Sequence, residues 1–170
     1  MKKDGKNARG QVYQALDELK ISYQVHEHEA FFTVAEADEK GYALPGLNLK
    51  NLFIKHKKGP ERWLVILEDH CRLDFKALGK LTGWGNKAAF AGDEELMRCL
   101  GLTPGSVGPF GLLNDREHQV IVVLGKAVCD AEEGTLVNFH PNDNTATLSL
   151  TKKDFLKFLR HMGNPVIFEI

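Results

Sequence analysis

Lys50 stands in Leu47–Ile54, an otherwise mostly apolar stretch. A cation in such company either points to solvent from a strand or serves a bound anion. At an ordinary pKa near ~10.4 a lysine is protonated at neutral pH, so its chemistry there is electrostatic rather than that of a general base. His140 lies between Phe139 and Pro141, where an imidazole is either a packed, hydrogen-bonded core group or one that orients a substrate. His26 and His28 flank Glu27, and alternate residues of a strand share a face. Two imidazoles on one face could begin a metal site, but no third ligand with plausible spacing accompanies them, so zinc is not expected. Ser106 lies in Pro-Gly-Ser-Val-Gly, which departs from the Gly-x-Ser-x-Gly nucleophile elbow at Pro104. Covalent catalysis is therefore the weaker reading.

Residues 101–115 supply a different kind of chemistry. Gly101, Gly105, Gly108 and Gly111 alternate with Pro104 and Pro109, a mixture that gives the backbone an unusual fixed shape. Main-chain N–H groups aimed at one point can hold a carbonyl, a carboxylate or a phosphate. The plainer reading is a tight connection between packed elements.

The elements that must position these groups are legible from periodicity and capping. Val12, Leu16 and Leu19 recur at helical spacing, and Ser22–His28 reads as a short strand. Thr33 with Glu36 forms a capping box for a helix ending near Gly41. Leu49–Lys57 and Arg62–Leu67 read as a hairpin turning at Lys58-Gly59-Pro60. Leu73–Leu81 and Asp93–Leu100 read as helices, the second stopped by Gly101. Lys87–Ala91, Gln119–Leu124, Leu136–Phe139, Thr145–Leu150 and Pro165–Ile170 read as strands. Thr151 with Asp154 caps a helix that Gly163 ends. Hairpins interrupt any strict βαβ rhythm, so the expected class is α/β with a mixed, largely antiparallel sheet flanked by helices.

The chain has 170 residues, 43% hydrophobic and 26% charged, which suits one domain over 1–170 with a full core. No apolar run approaches the ~20 residues of a membrane span, and Met1–Lys6 lacks the apolar region of a secretory signal. Cys71, Cys99 and Cys129 form no Cys-x-x-Cys pair, which fits a reducing cytoplasm. A net charge of −1 excludes a broad basic field for long duplex nucleic acid. Local clusters at Lys50, Lys55, His56, Lys57 and Lys58, and at Lys2, Lys3, Lys6 and Arg9, leave room for a small footprint on an RNA end.

Three segments carry a family likeness. These are Lys50-Asn51-Leu52-Phe53, the loop from Gly101 to Asp115, and Asn138-Phe139-His140-Pro141. Together they resemble the family of YbaK and the editing domain inserted in bacterial prolyl-tRNA synthetases, most of all its free-standing ProXp-ala branch. The likeness runs from about Val12 to Ile170. Members of that branch hydrolyse alanine mischarged onto proline tRNA, so the resemblance implies a metal-independent deacylase without a cofactor. It implies that Lys50 holds the terminal nucleotide, that Gly101–Gly105 amides polarise the ester, and that His140 lies at the rim of the aminoacyl pocket. Phe32, Thr33, Val34, Thr103, Pro104, Ser106 and Asn138 would line that pocket, and Lys55 and Lys57 would join Lys50 on the tRNA. The implied partners are the acceptor end of mischarged proline tRNA and, beside it, prolyl-tRNA synthetase or an elongation factor. A cysteinyl ester as substrate and a non-catalytic module that only binds the tRNA end remain the alternatives.

Overall fold

The computed structural model describes residues 5–168, and for residues 5–7 the backbone only. Lys2, Lys3 and the expected strand residues Glu169–Ile170 lie outside the described residues. Helix α1 (Gly5–Glu18) buries Val12 and Leu16 completely. Strand β1 (Gln24–Glu27) follows. Helix α2 (Val34–Glu39) begins as its sequence dictates: the Thr33 hydroxyl accepts from the Glu36 N–H at 3.1 Å. The Glu36 carboxylate reaches back to the Phe32 N–H at 3.0 Å, one residue before the usual capping-box partner.

Strands β2 (Leu47–His56) and β3 (Arg62–Glu68) form the expected hairpin, with Lys50 opposite Leu67. Helix α3 (Phe75–Thr82) starts two residues later than its apolar pattern suggests, because the Asp74 carboxylate caps it by accepting from Lys76 and Ala77. Strand β4 (Ala88–Phe90) precedes α4 (Asp93–Leu100), whose bounds match the sequence reading. Then come a 3₁₀ turn at Pro109–Asn114, β5 (Val120–Leu124), α5 (Lys126–Asp130), β6 (Leu136–Phe139) and β7 (Ala146–Thr151). Helix α6 (Lys152–Met162), capped by the Thr151 hydroxyl, and β8 (Val166–Phe168) complete the order. The 3₁₀ turn and α5 were not anticipated; six and five residues are too short to show helical periodicity.

The eight strands form one mixed sheet in the order β1-β7-β6-β2-β3-β5-β8, with β4 also on β2. Antiparallel ladders join β1 to β7, β6 to β7, β2 to β3 and β2 to β4, against parallel ladders for β2–β6, β3–β5 and β5–β8. One face carries Phe53, Leu64, Ile66, Val122, Phe139 and Leu148 into the main core with α1, α4 and α6. On the opposite face Ile54, Trp63, Val65, Leu67 and Val123 pack under Leu78 of α3. No described helix is long and apolar enough to cross a membrane.

Candidate active site

Strand β2 has β3 along one edge and two different strands on the other. Residues Leu47 and Asn48 pair with β6, whereas Ile54, Lys55 and His56 pair with β4. Between them, residues 49–52 have no partner strand on that edge among the described residues. A cavity of about 680 Å3 opens at this notch, lined by Lys50, Asn51 and Leu52 among others. Its size suits a nucleoside with a small acyl group.

Of the residues singled out from sequence, Lys50, His140, Gly105, Phe32, Thr33, Val34 and Asn138 line this cavity. The Lys50 ammonium has no ion-pair or hydrogen-bond partner among the described residues. Asn51, beside it, has a buried carbonyl oxygen without a hydrogen-bond partner there. A half-buried free cation is a costly arrangement for a merely structural surface, and so, on the other face of the strand, is the orphaned amide.

His140 follows β6 directly. Its Nδ1 lies 2.8 Å from the Ala146 carbonyl, which can only accept, so Nδ1 carries the hydrogen and Nε2 is left as an acceptor. Burial holds this imidazole below its ordinary pKa of 6.5, and the neighbouring His28 adds to the effect. Hydrogen bonding to Ala146 and the charge of Asp143 oppose it. The group is neutral at neutral pH. Around it His28, Phe31 and Tyr42 form an aromatic cluster, with ring centroids 5.8 Å from His140 to both His28 and Phe31 and 4.6 Å from His28 to Phe31. Phe31 and Tyr42 stack at 5.5 Å.

His26 and His28 do share a face, as the alternation requires. Each meets a β7 hydroxyl: His26 Nε2 to Ser149 Oγ at 3.1 Å, and His28 Nε2 to Thr147 Oγ1 at 2.8 Å. Among the described residues no three His, Cys, Asp or Glu side chains come together as a metal cluster.

The glycine- and proline-rich loop is mostly packed and self-bonded. The Gly101 N–H caps α4 by donating to the Met97 carbonyl at 3.0 Å, with φ at +66°. Ser106 is buried and its N–H donates to Thr103. Phe110 is fully buried against Phe139 and Phe158. Thr103 and Pro104 are exposed. Gly105 is where the loop meets the cavity. Its φ is +86°, and a Cβ there would come within 2.5 Å of the Phe32 ring. Gly101, Thr103, Pro104 and Ser106 thus shape the loop from outside the cavity lining, while Gly105 touches it.

Lys55 and Lys57 lie elsewhere. The Lys55 ammonium pairs with Glu95 at 2.8 Å, where Arg62 also binds, and this pairing with Lys55 is the main cause that lowers the Glu95 pKa. Lys57 donates to the Asn86 carbonyl at 3.1 Å. Seven residues of extended chain separate Lys57 from Lys50, about 23 Å.

The sequence pattern of the aminoacyl-tRNA editing domain matches residues 28–158. The chain is 37% identical over 158 residues to the prolyl-tRNA editing protein ProX of Acetoanaerobium sticklandii, covering 93% of this chain and 94% of that one. This chain belongs to the aminoacyl-tRNA editing domain family. It is also 33% identical over 165 residues to the prolyl-tRNA synthetase associated domain-containing protein 1 of Mus musculus, covering 96% of each. The fold is shared with the solved structure of hypothetical protein APE2540, at a TM-score of 0.71, 17% identity, and coverage of 94% and 97%.

Sequence reasoning missed several groups that this editing domain brings to the cavity. Tyr42 lines it stacked on Phe31, and His28 packs against both rings without itself lining the cavity. Asp69 lines the wall opposite; burial, chiefly, raises its pKa, and its N–H donates to Asn48 at 2.9 Å. Arg9 of α1 was visible only as a basic residue. It reaches Glu27 at 2.9 Å, Asp143 at 3.6 Å and the Thr145 hydroxyl, bolting down the segment that carries His140. The Asp143 carboxyl, although burial acts against it, is held below its ordinary range by Thr145 and Arg9.

Proposed function

We propose that this protein hydrolyses, in trans, the ester linking alanine to the 3′ end of mischarged proline tRNA. The observation that carries the reading is the unpaired Lys50 ammonium in a cavity that also holds Gly105 and a neutral His140. Family membership and the names of the relatives agree with it. An aminoacyl ester is already activated, so the protein needs to position it, polarise its carbonyl and admit one water. Lys50 would anchor the terminal phosphate by charge. The Gly105 amide would meet the carbonyl oxygen as negative charge develops there; one preorganised donor of this kind contributes about 3–4 kcal/mol. The His140 Nε2 would accept from the substrate's ammonium and so fix the acyl group.

Water attacks the carbonyl carbon, the bond to the ribose 3′ oxygen breaks, and that oxygen takes the proton. The adjacent ribose 2′ hydroxyl would orient the water, so no protein base is required. Phe31 and Phe32 near Gly105 would bound the acyl pocket and exclude proline by size, sparing correctly charged tRNA.

The test is deacylation of purified Ala-, Cys-, Ser- and Pro-tRNA with EDTA present. Rapid loss of alanine alone is the expected result. Rapid loss of cysteine instead would move the substrate to the cysteinyl ester. Retention of every ester, with tRNA still bound, would leave a binding module and overturn the enzyme reading.

A further inference from the structure

The sheet consists of two pieces meeting at one short seam. Strands β1, β7 and β6 form one piece, and β2, β3, β4, β5 and β8 the other. Strands β2 and β3 share seven register pairs, but β2 and β6 share two, Leu47 with Val137 and Asn48 with Asn138. The site straddles this seam. Lys50 and Asn51 stand on β2, whereas His140 and Thr147 belong to the other piece. Any slip at the seam changes the separation of Lys50 from His140.

Asn138 sits at that junction, 5% exposed. Its Nδ2 lies 3.1 Å from the Pro45 carbonyl, 3.2 Å from the Leu47 carbonyl and 3.3 Å from Asn48 Oδ1, all on the β2 side. Its Oδ1 accepts from the Ser149 hydroxyl of β7. Ser149 has one O–H, used on Asn138, so it accepts from His26 Nε2–H at 3.1 Å. The two Asn138 amide hydrogens therefore serve three protein acceptors, and neither is free for a substrate. Backbones also press together here: Gly46, at φ +96°, has the Leu136 carbonyl oxygen 2.3 Å from where a Cβ would stand.

We infer that Asn138 is a positioning residue that sets the Lys50–His140 separation across the seam, with Ser149 and His26 fixing the orientation of its amide. The inference deepens the deacylase reading and rests on it for its kinetic readout. A hydrogen-bonded clamp has high leverage at a two-pair ladder, because a displacement of about 1 Å at a reacting centre is enough to cost about 100-fold in rate.

Two variants test this. Asn138→Asp keeps the shape and removes both amide hydrogens; Ser149→Ala keeps Asn138 and frees its amide to rotate. Expected for Asn138→Asp is a fall in kcat of about 30-fold with KM within about threefold, since the body of the RNA still binds. For Ser149→Ala the expected fall is about fivefold, restored by Ser149→Thr. Amide ¹H–¹⁵N spectra supply a readout independent of catalysis: in Ser149→Ala the Lys50 and Asn51 resonances should move although Ser149 lies on β7. Unmoved Lys50 and Asn51 resonances with kcat within twofold of wild type would overturn the clamp. Should Asn138→Asp fail to fold, Ser149→Ala and its spectra decide alone. If the wild type deacylates nothing, the editing reading fails while the spectra still judge the clamp.

Discussion

One face of the sheet has two halves built on the same alternation and put to opposite uses. Under α3, Ile54, Trp63, Val65, Leu67 and Val123 are buried in an apolar cluster. Across the notch, the same face presents Asn48, Lys50, Asn138, Ser149 and Thr147. Strand β2 runs through both, with Leu52 and Ile54 at one end and Asn48 and Lys50 at the other. Backbone geometry does not distinguish them. The difference lies in what covers them: a helix on one half, an open cavity on the other. Asn138 and Ser149 persist there because they satisfy each other and the β2 backbone, whereas the charge of Lys50 is left to water or a ligand and its cost is offset by function rather than by packing. Stability and activity should therefore separate along a single strand.

The sharpest way to break that separation is at Lys50. Lys50→Ala should lower deacylation kcat/KM by at least about 100-fold, roughly 3 kcal/mol of lost transition-state stabilisation. Its thermal midpoint should stay near that of wild type, because no partner among the described residues is lost. Ile54→Ala is the mirror image. Removing a side chain with 0% exposure should cost about 2–4 kcal/mol of stability, read by denaturant titration, with the rate per folded molecule unchanged. Gly105→Ala should affect both quantities moderately, since +86° suits glycine and the new methyl would strike Phe32. About a tenfold loss of rate and about 1–2 kcal/mol are expected.

A pH titration sharpens the comparison further. The folded pKa of His140 lies below the unfolded value near 6.5. Below pH 6.5 the unfolded chain takes up a proton that the folded one refuses, so stability falls as pH drops through that range. The slope levels off once the folded pKa is passed. In His140→Gln, urea midpoints measured between pH 7 and 5 should lose this component. The smallest effect belongs to Lys55→Ala, which breaks a partly exposed pair with Glu95 while Arg62 remains; about 0.2–1 kcal/mol is expected.

What the sequence made legible was local. The Thr33–Glu36 and Thr151–Asp154 caps, the β2–β3 hairpin and the stop at Gly101 depend on residues a few positions apart, and the structure has all four. Lys50, Gly105 and His140 were found as motifs and share the cavity. Long-range partners were not legible. Nothing near Lys55 announces Glu95, forty residues on. The convergence of His28, Phe31 and Tyr42 on His140 spans more than half the chain. The loop amides illustrate a different gap. Composition gives them unusual freedom, but only packing shows that Gly101 donates into α4 while Gly105 meets the cavity.

The central claim is that catalysis belongs to the uncovered half of β2 and to Lys50 in particular. The most direct test compares Lys50→Ala with Lys55→Ala on Ala-tRNA(Pro) under single-turnover conditions, with both proteins shown to be folded. The expected result is near-complete loss of deacylation in the first and a rate within about twofold of wild type in the second. Equal loss in both variants, or an undiminished rate in Lys50→Ala, would contradict the account.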